Sequence, residues 1–122
     1  MWYLAKIVYR ITCGDGRHQA QFDEQLRLVQ APGEAVALRR AAEIGVLGED
    51  RFRNKESQLV AWTFVNISEL YPLQEFFDGA ELYSQVHETD DESAYVNFVH
   101  YKAHCIRERA EQTTTNFASF SL

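Results

Sequence analysis

The chain carries more apolar β-surface than its helical segments can cover, and that surplus constrains its fold more than any other feature. From Trp2 to Thr12 β-branched and aromatic residues dominate, and Cys13-Gly14-Asp15-Gly16-Arg17 then reads as a turn. His18 to Gln30 follows with Ala20, Phe22, Leu26 and Leu28 at even spacing, while Gln19, Gln21, Asp23, Gln25 and Arg27 alternate with them. Successive strand residues point to opposite faces, so these two stretches are expected to pair as a hairpin. Leu59 to Ile67 reads as a third strand, apolar on both sides. Leu59, Ala61, Val65 and Ile67 form one row, and Val60, Trp62 and Phe64 the other. A fourth strand is expected at Ala80 to Glu88.

Two helices complete the pattern. After Pro32-Gly33-Glu34, residues Ala35, Leu38, Ala41, Ala42 and Ile44 recur at helical spacing, with Gly45 as the expected stop. Thr89-Asp90-Asp91-Glu92 has the form of a capping box, and its acidic residues favour the positive end of a helix dipole. Beyond it Tyr95, Phe98, Val99, Lys102, Ala103 and Ile106 mark one face, and Arg107 and Arg109 favour the C-terminal end. Gly48 to Gln58 is charged and irregular and reads as a solvated loop. Ser68 to Gly79, with Tyr71, Pro72, Phe76 and Phe77, reads as a packed connection.

The expected order is ββαββα, an α+β fold with a four-stranded antiparallel sheet and both helices on one face. It corresponds to a ferredoxin-like βαββαβ fold with its last strand moved to the front, strand order 1-2-4-3. Residues 1–110 are expected to form the single domain, and 111–122 a loosely held polar tail.

Composition narrows the function. A chain of 122 residues can bury roughly two thirds of its unfolded surface, so it needs no metal or disulfide framework. Eighteen acidic residues oppose 12 basic ones, with no dense Lys/Arg run, which disfavours nucleic acid as a partner. Cys13 and Cys105 stand in no metal or redox spacing and suit a reducing compartment. Met1-Trp2-Tyr3-Leu4-Ala5-Lys6 passes straight into alternation without the pattern of a signal peptide, and no apolar run reaches membrane-span length. The expected location is the cytoplasm, with no membrane partner.

Trp2-Tyr3-Leu4-Ala5-Lys6, Phe22-Asp23-Glu24-Gln25, Trp62 and Phe64, Glu69-Leu70-Tyr71-Pro72-Leu73, and Gly79-Ala80-Glu81-Leu82-Tyr83-Ser84 together resemble a bacterial family known as domain of unknown function 4288. The resemblance spans nearly all of Trp2 to Ile106. It implies small bacterial cytoplasmic proteins with no assigned activity, and it transfers no catalytic residues.

Since two helices cover one sheet face, something else must cover the second. On that face the alternation places Trp2, Leu4, Lys6 and Val8, then Val60, Trp62 and Phe64, with polar rows of Asp23, Gln25, Arg27, Tyr83, Gln85 and His87. An apolar patch holding two tryptophans exceeds what soluble monomers usually expose, so self-association through the sheet is expected, enclosing polar groups within an aromatic rim, which is the general build of a small-ligand site. A small ligand or a protein partner is the further expectation for this face. The plainer alternative is that the two long connections, with Phe117 and Phe120, close over the face. Trp2, Lys6, Asp23, Gln25, Arg27, Trp62, Tyr83, Gln85 and His87 are therefore the candidate binding residues.

Other features weigh less. His100 and His104 lie four apart on the last helix but on its solvent side, without an evident third ligand, so no metal is expected. His87 and Glu88 are adjacent on a strand and point apart. Glu24 falls on the apolar row between Phe22 and Leu26; burial there would demand a partner or a proton, unless a bulge near Glu24 turns it outward. No nucleophile elbow, phosphate loop or dinucleotide fingerprint appears, and no cofactor is expected. The favoured reading is a non-enzymatic homo-oligomeric binding module. A small acid/base enzyme using Glu24, His87 or Asp23 at the second face is the alternative, and an acidic inhibitor or immunity-type protein for a basic partner is the third.

Overall fold

The computed structural model describes residues 1–120, with side chains described through residue 113. The element order is β1 (Trp2–Cys13), β2 (Gln21–Gln30), α1 (Glu34–Leu47), β3 (Asp50–Arg53), β4 (Leu59–Leu73) and α2 (Glu92–Phe120). The α+β class, the ββαββα order and the four-stranded antiparallel sheet are as expected. Two compact units divide the chain, Met1–Ser84 and Gln85–Leu122.

Strand identities and sheet order differ from expectation. The order is β2-β1-β4-β3, so β1 is central rather than at an edge. The segment read as a solvated loop contains β3, which pairs with Leu59–Trp62 through a turn where Ser57 adopts φ 61°. The third strand continues past Ile67 to Leu73, because the connection expected from Ser68 onward pairs with Trp2–Lys6. Pro72 is tolerated there because β3 reaches only as far as Trp62, leaving that side of β4 without a ladder partner at Pro72. Ala80–Glu88 forms no strand. Its Tyr83 instead reaches Lys6 and Tyr71 by side-chain contact, so it is anchored on a sheet face and not in the ladder.

Two register shifts in the β1–β4 pairing decide which residues face the core. Lys6 pairs with Glu69 but Ile7 with Ile67, and Val8 pairs with Asn66 but Tyr9 with Phe64, so Ser68 and Val65 are left over as bulges. Each bulge inserts a residue into the alternation. Ile67 and Leu70 therefore share the side of Trp62 and Phe64, not that of Leu59 and Ala61.

α1 packs on this side against β1, β2 and β4. The core joins Tyr3, Ala5, Val29, Ala31, Ala37 and Ala41, with Ile44, Ile67 and Leu70 against it. The helix does not stop at Gly45, which is buried within it; Gly48 is the C-cap. Gly45 is required by proximity: a Cβ there would lie 2.4 Å from the Phe64 ring and 3.2 Å from Cγ2 of Ile7. Tyr9 secures the same point, its hydroxyl donating to the Gly45 carbonyl at 2.8 Å.

In the second unit, α2 runs to Phe120, well past the end marked by Arg107 and Arg109. Its N-cap is Asp91, whose Oδ1 accepts from the Ala94 N–H at 2.9 Å, so the box predicted at Thr89 starts two residues early. Thr89 accepts from the Asp91 N–H instead. Among the described residues no helix is long and apolar enough to cross a membrane.

Candidate functional site

The sheet face opposite α1 is the candidate site, and the pairing register identifies its members. Trp2, Leu4, Lys6, Val8 and Arg10 alternate away from the core on β1. Their partners are Leu28, Leu26, Glu24 and Phe22 on β2, and Glu69, Tyr71 and Leu73 on β4.

Lys6 is the hub of this face. Its Nζ lies 3.2 Å from Glu69 Oε2 and 3.8 Å from Glu24 Oε2, and donates to the Tyr83 hydroxyl at 3.4 Å. The ammonium also sits 5.1 Å from the centre of the Tyr83 ring. The hydrogen bond to Glu69 foremost, then that to Tyr83, holds the ammonium above its ordinary pKa, outweighing the opposing effect of burial. Lys6 is therefore a firmly protonated anchor rather than a base. Oε2 of Glu69 is buried with no hydrogen-bond partner beyond this ion pair, so Lys6 compensates a carboxylate oxygen that is shielded from water. We expect Lys6→Met to lower the denaturant midpoint and the double variant Lys6→Met/Glu69→Gln to recover it; equal midpoints for parent and single variant would refute that role.

The segment after β4 crosses this face as a strap. Phe76 meets Trp2 edge-on at 6.4 Å, and Tyr83 meets Tyr71 edge-on at 5.8 Å. Leu4 and Leu73 are buried accordingly. A cleft of about 220 Å³ opens between Tyr71–Leu73 and Glu81–Ser84. The strap leaves β2 uncovered: Phe22, Leu26 and Leu28 each keep about half of their surface, at 51%, 50% and 51%.

Of the candidate residues, Trp2, Lys6 and Tyr83 come together here. Asp23, Gln25, Arg27 and Trp62 do not, because they pair with, or share the side of, Tyr9, Ile7 and Ala5 on the α1 side. There they form one line: Arg27 donates to Gln25 at 2.8 Å, Gln25 to Asp23 at 2.7 Å, and the Trp62 indole N–H to the same Asp23 oxygen at 3.1 Å. Phe52 stacks on the Trp62 ring at 6.0 Å. Parity across the β1–β2 turn could not reveal this from sequence, and the Trp62 side followed from the assumed register. Gln85 and His87 belong to the second unit, where the His87 ring lies 6.3 Å from that of Tyr95.

Glu24 is exposed and paired with Lys6, not buried, and the β1–β2 register runs unbroken through it. No bulge is needed, since the whole row on which it lies is half open to solvent. His104 faces Glu108 at 3.2 Å on α2, and among the described residues no three His, Cys, Asp or Glu side chains gather around a common point. Phe117 and Phe120 lie outside the residues whose side chains are described. Sequence reasoning missed Glu69 and Tyr71 as members of the site; their shared parity with Leu73 was the available signal, once the strand is carried past Ile67.

These features define a class: a small α+β domain with an antiparallel sheet, one face closed by a helix and the other partly closed by an aromatic strap. The chain belongs to the family described as Domain of unknown function (DUF4288), whose model matches residues 2–84. The match ends where the first compact unit ends, at Ser84, and does not continue to Ile106. No curated protein and no solved structure is significantly similar to the chain.

Proposed function

We propose that this is a non-enzymatic, homo-oligomeric interaction module that associates through the sheet face opposite α1. The observation that carries the reading is the row Phe22, Leu26 and Leu28, half exposed on an edge strand and continued by the exposed Trp2. Burying a large apolar side chain fully is favourable by about 1.5–3 kcal/mol, so covering three half-exposed ones yields a substantial association energy. A two-fold axis beside β2 presents the same row to its copy, the self-complementary geometry of a dimer. The Glu24–Lys6 pair and Arg10, which lies 5.9 Å over the Phe22 ring, supply a polar rim.

The chemistry of the face supports binding over catalysis. Its lysine is held protonated, and the carboxylates beside it are engaged by that lysine. The free thiols of Cys13 and Cys105 fit a cytoplasmic setting.

Light scattering and sedimentation equilibrium test this reading. Leu26→Lys places a charge at the centre of the row, and the assembly mass is expected to halve relative to the parent, with association weakened at least tenfold, about 1.4 kcal/mol. A parent that sediments as a monomer, or a variant that keeps the parent mass, overturns it.

A further inference from the structure

We infer that α2 pairs antiparallel with the α2 of a second copy. Among the described residues of the unit Gln85–Leu122 the only regular element is α2. Its apolar stripe therefore has no partner element within its own unit. At 100° per residue, Asp91, Tyr95, Phe98, Val99, Lys102, Ile106 and Arg109 all fall within about 60° of one line along the helix. Tyr95, Phe98, Val99 and Ile106 on that line are about half exposed, at 48%, 56%, 46% and 54%. Amphipathic helices draw their stability from packing such a face, not from helix propensity.

Charge along the stripe selects the occupant and its direction. The line begins acidic at Asp91, runs through Tyr95, Phe98 and Val99 to the cation Lys102, and after Ile106 ends basic at Arg109. A parallel pair would oppose Arg109 to Arg109, Lys102 to Lys102 and Asp91 to Asp91. An antiparallel pair centred near His100 lays the acidic start of one helix along Arg109 of the other. It also sets Phe98 opposite the partner's Lys102, the same pairing that Lys102 makes within its own helix at 5.3 Å from the Phe98 ring. The stripe is thus complementary to its own reverse, which is the signature of self-pairing.

Cross-linking of the full chain reads the direction. Ala94 and Cys105 lie on the same flank of the stripe, about 16 Å apart within one helix, too far for a disulfide inside one chain. Antiparallel pairing brings each beside the other's counterpart in the second copy. In a Cys13→Ser background, Ala94→Cys is expected to give a covalent dimer with native Cys105 under mild oxidation. Arg109→Cys in a Cys13→Ser/Cys105→Ser background is expected to give none, since antiparallel packing holds those positions far apart. Adding Phe98→Asp to the first variant should reduce the covalent dimer at least tenfold, whereas adding Leu26→Lys should leave it unchanged. The reverse pattern, or no cross-link in either background, overturns the inference. Because α2 and the sheet face are tested by different substitutions, either can fail while the other stands.

Discussion

Replacing Ile7 with alanine is expected to lower the unfolding free energy by about 2–5 kcal/mol, the range for deleting a buried branched side chain. Ile7 is fully buried at the centre of β1, which is flanked on both sides by ladder partners. Its Cγ2 lies close under Gly45 of α1, and it pairs with Ile67 at the first bulge of β4. A void there cannot collapse easily, because β1 is tied to β2 and β4 and the helix is tied to Tyr9. Urea denaturation with an unchanged slope checks the value; a loss under about 1 kcal/mol would show that the helix does not close on the sheet as described.

Tyr9→Ala is expected to be of similar size, about 3–5 kcal/mol, because it removes an almost completely buried ring from the same junction. The ring meets Phe64 edge-on at 6.2 Å, and the hydroxyl holds the Gly45 carbonyl. Tyr9→Phe keeps the ring and is expected to lose only about 1 kcal/mol. The conservative variant also separates a pH effect. Burial, as the leading cause, raises the Tyr9 phenol above its ordinary value of 10.0; nearby Arg27 opposes this, and Glu49 and Asp23 add to it. The folded state thus keeps the proton that the unfolded chain releases. The stabilisation is complete below pH 10 and is lost as pH climbs through and beyond that value. Stability measured from pH 9 to 11 should fall less steeply in Tyr9→Phe than in the parent, and parallel curves would show that the phenol stays accessible. Lys6 adds to the same alkaline loss, since its pKa is also raised by its partners.

Particular elements show where sequence reasoning reached its limit. The strand at Trp2 to Thr12 was legible because dense β-branched and aromatic residues leave few alternatives to a sheet. The strand after Leu59 was legible only to Ile67, because two bulges break its period and a proline follows. β3 was hidden by its charge: all four of its residues are exposed, so no apolar row announced it. Conversely, Ala80 to Glu88 alternates like a strand yet forms none, and it reaches the sheet through the side chain of Tyr83.

The candidate site divides in the same way. Trp2, Lys6 and Tyr83 meet on one face, while Trp62 and Asp23 meet on the other, and the difference traces to register. A shift of one residue moves every side chain to the opposite face, and nothing local to Trp62 records which partner it will have.

What the amino-acid sequence determined alone was class and surplus: an antiparallel sheet, two helices, and more apolar strand surface than one helix layer hides. Local patterning suffices for that, since periodicity and turn chemistry act over a few residues. Only the tertiary structure decided the strand order, the two bulges that turn Ile67 and Leu70 inward, and the strap that joins Phe76 to Trp2 and Tyr83 to Lys6. These depend on contacts between residues up to 77 positions apart, whose energies are settled by packing and register rather than by any neighbour in the chain.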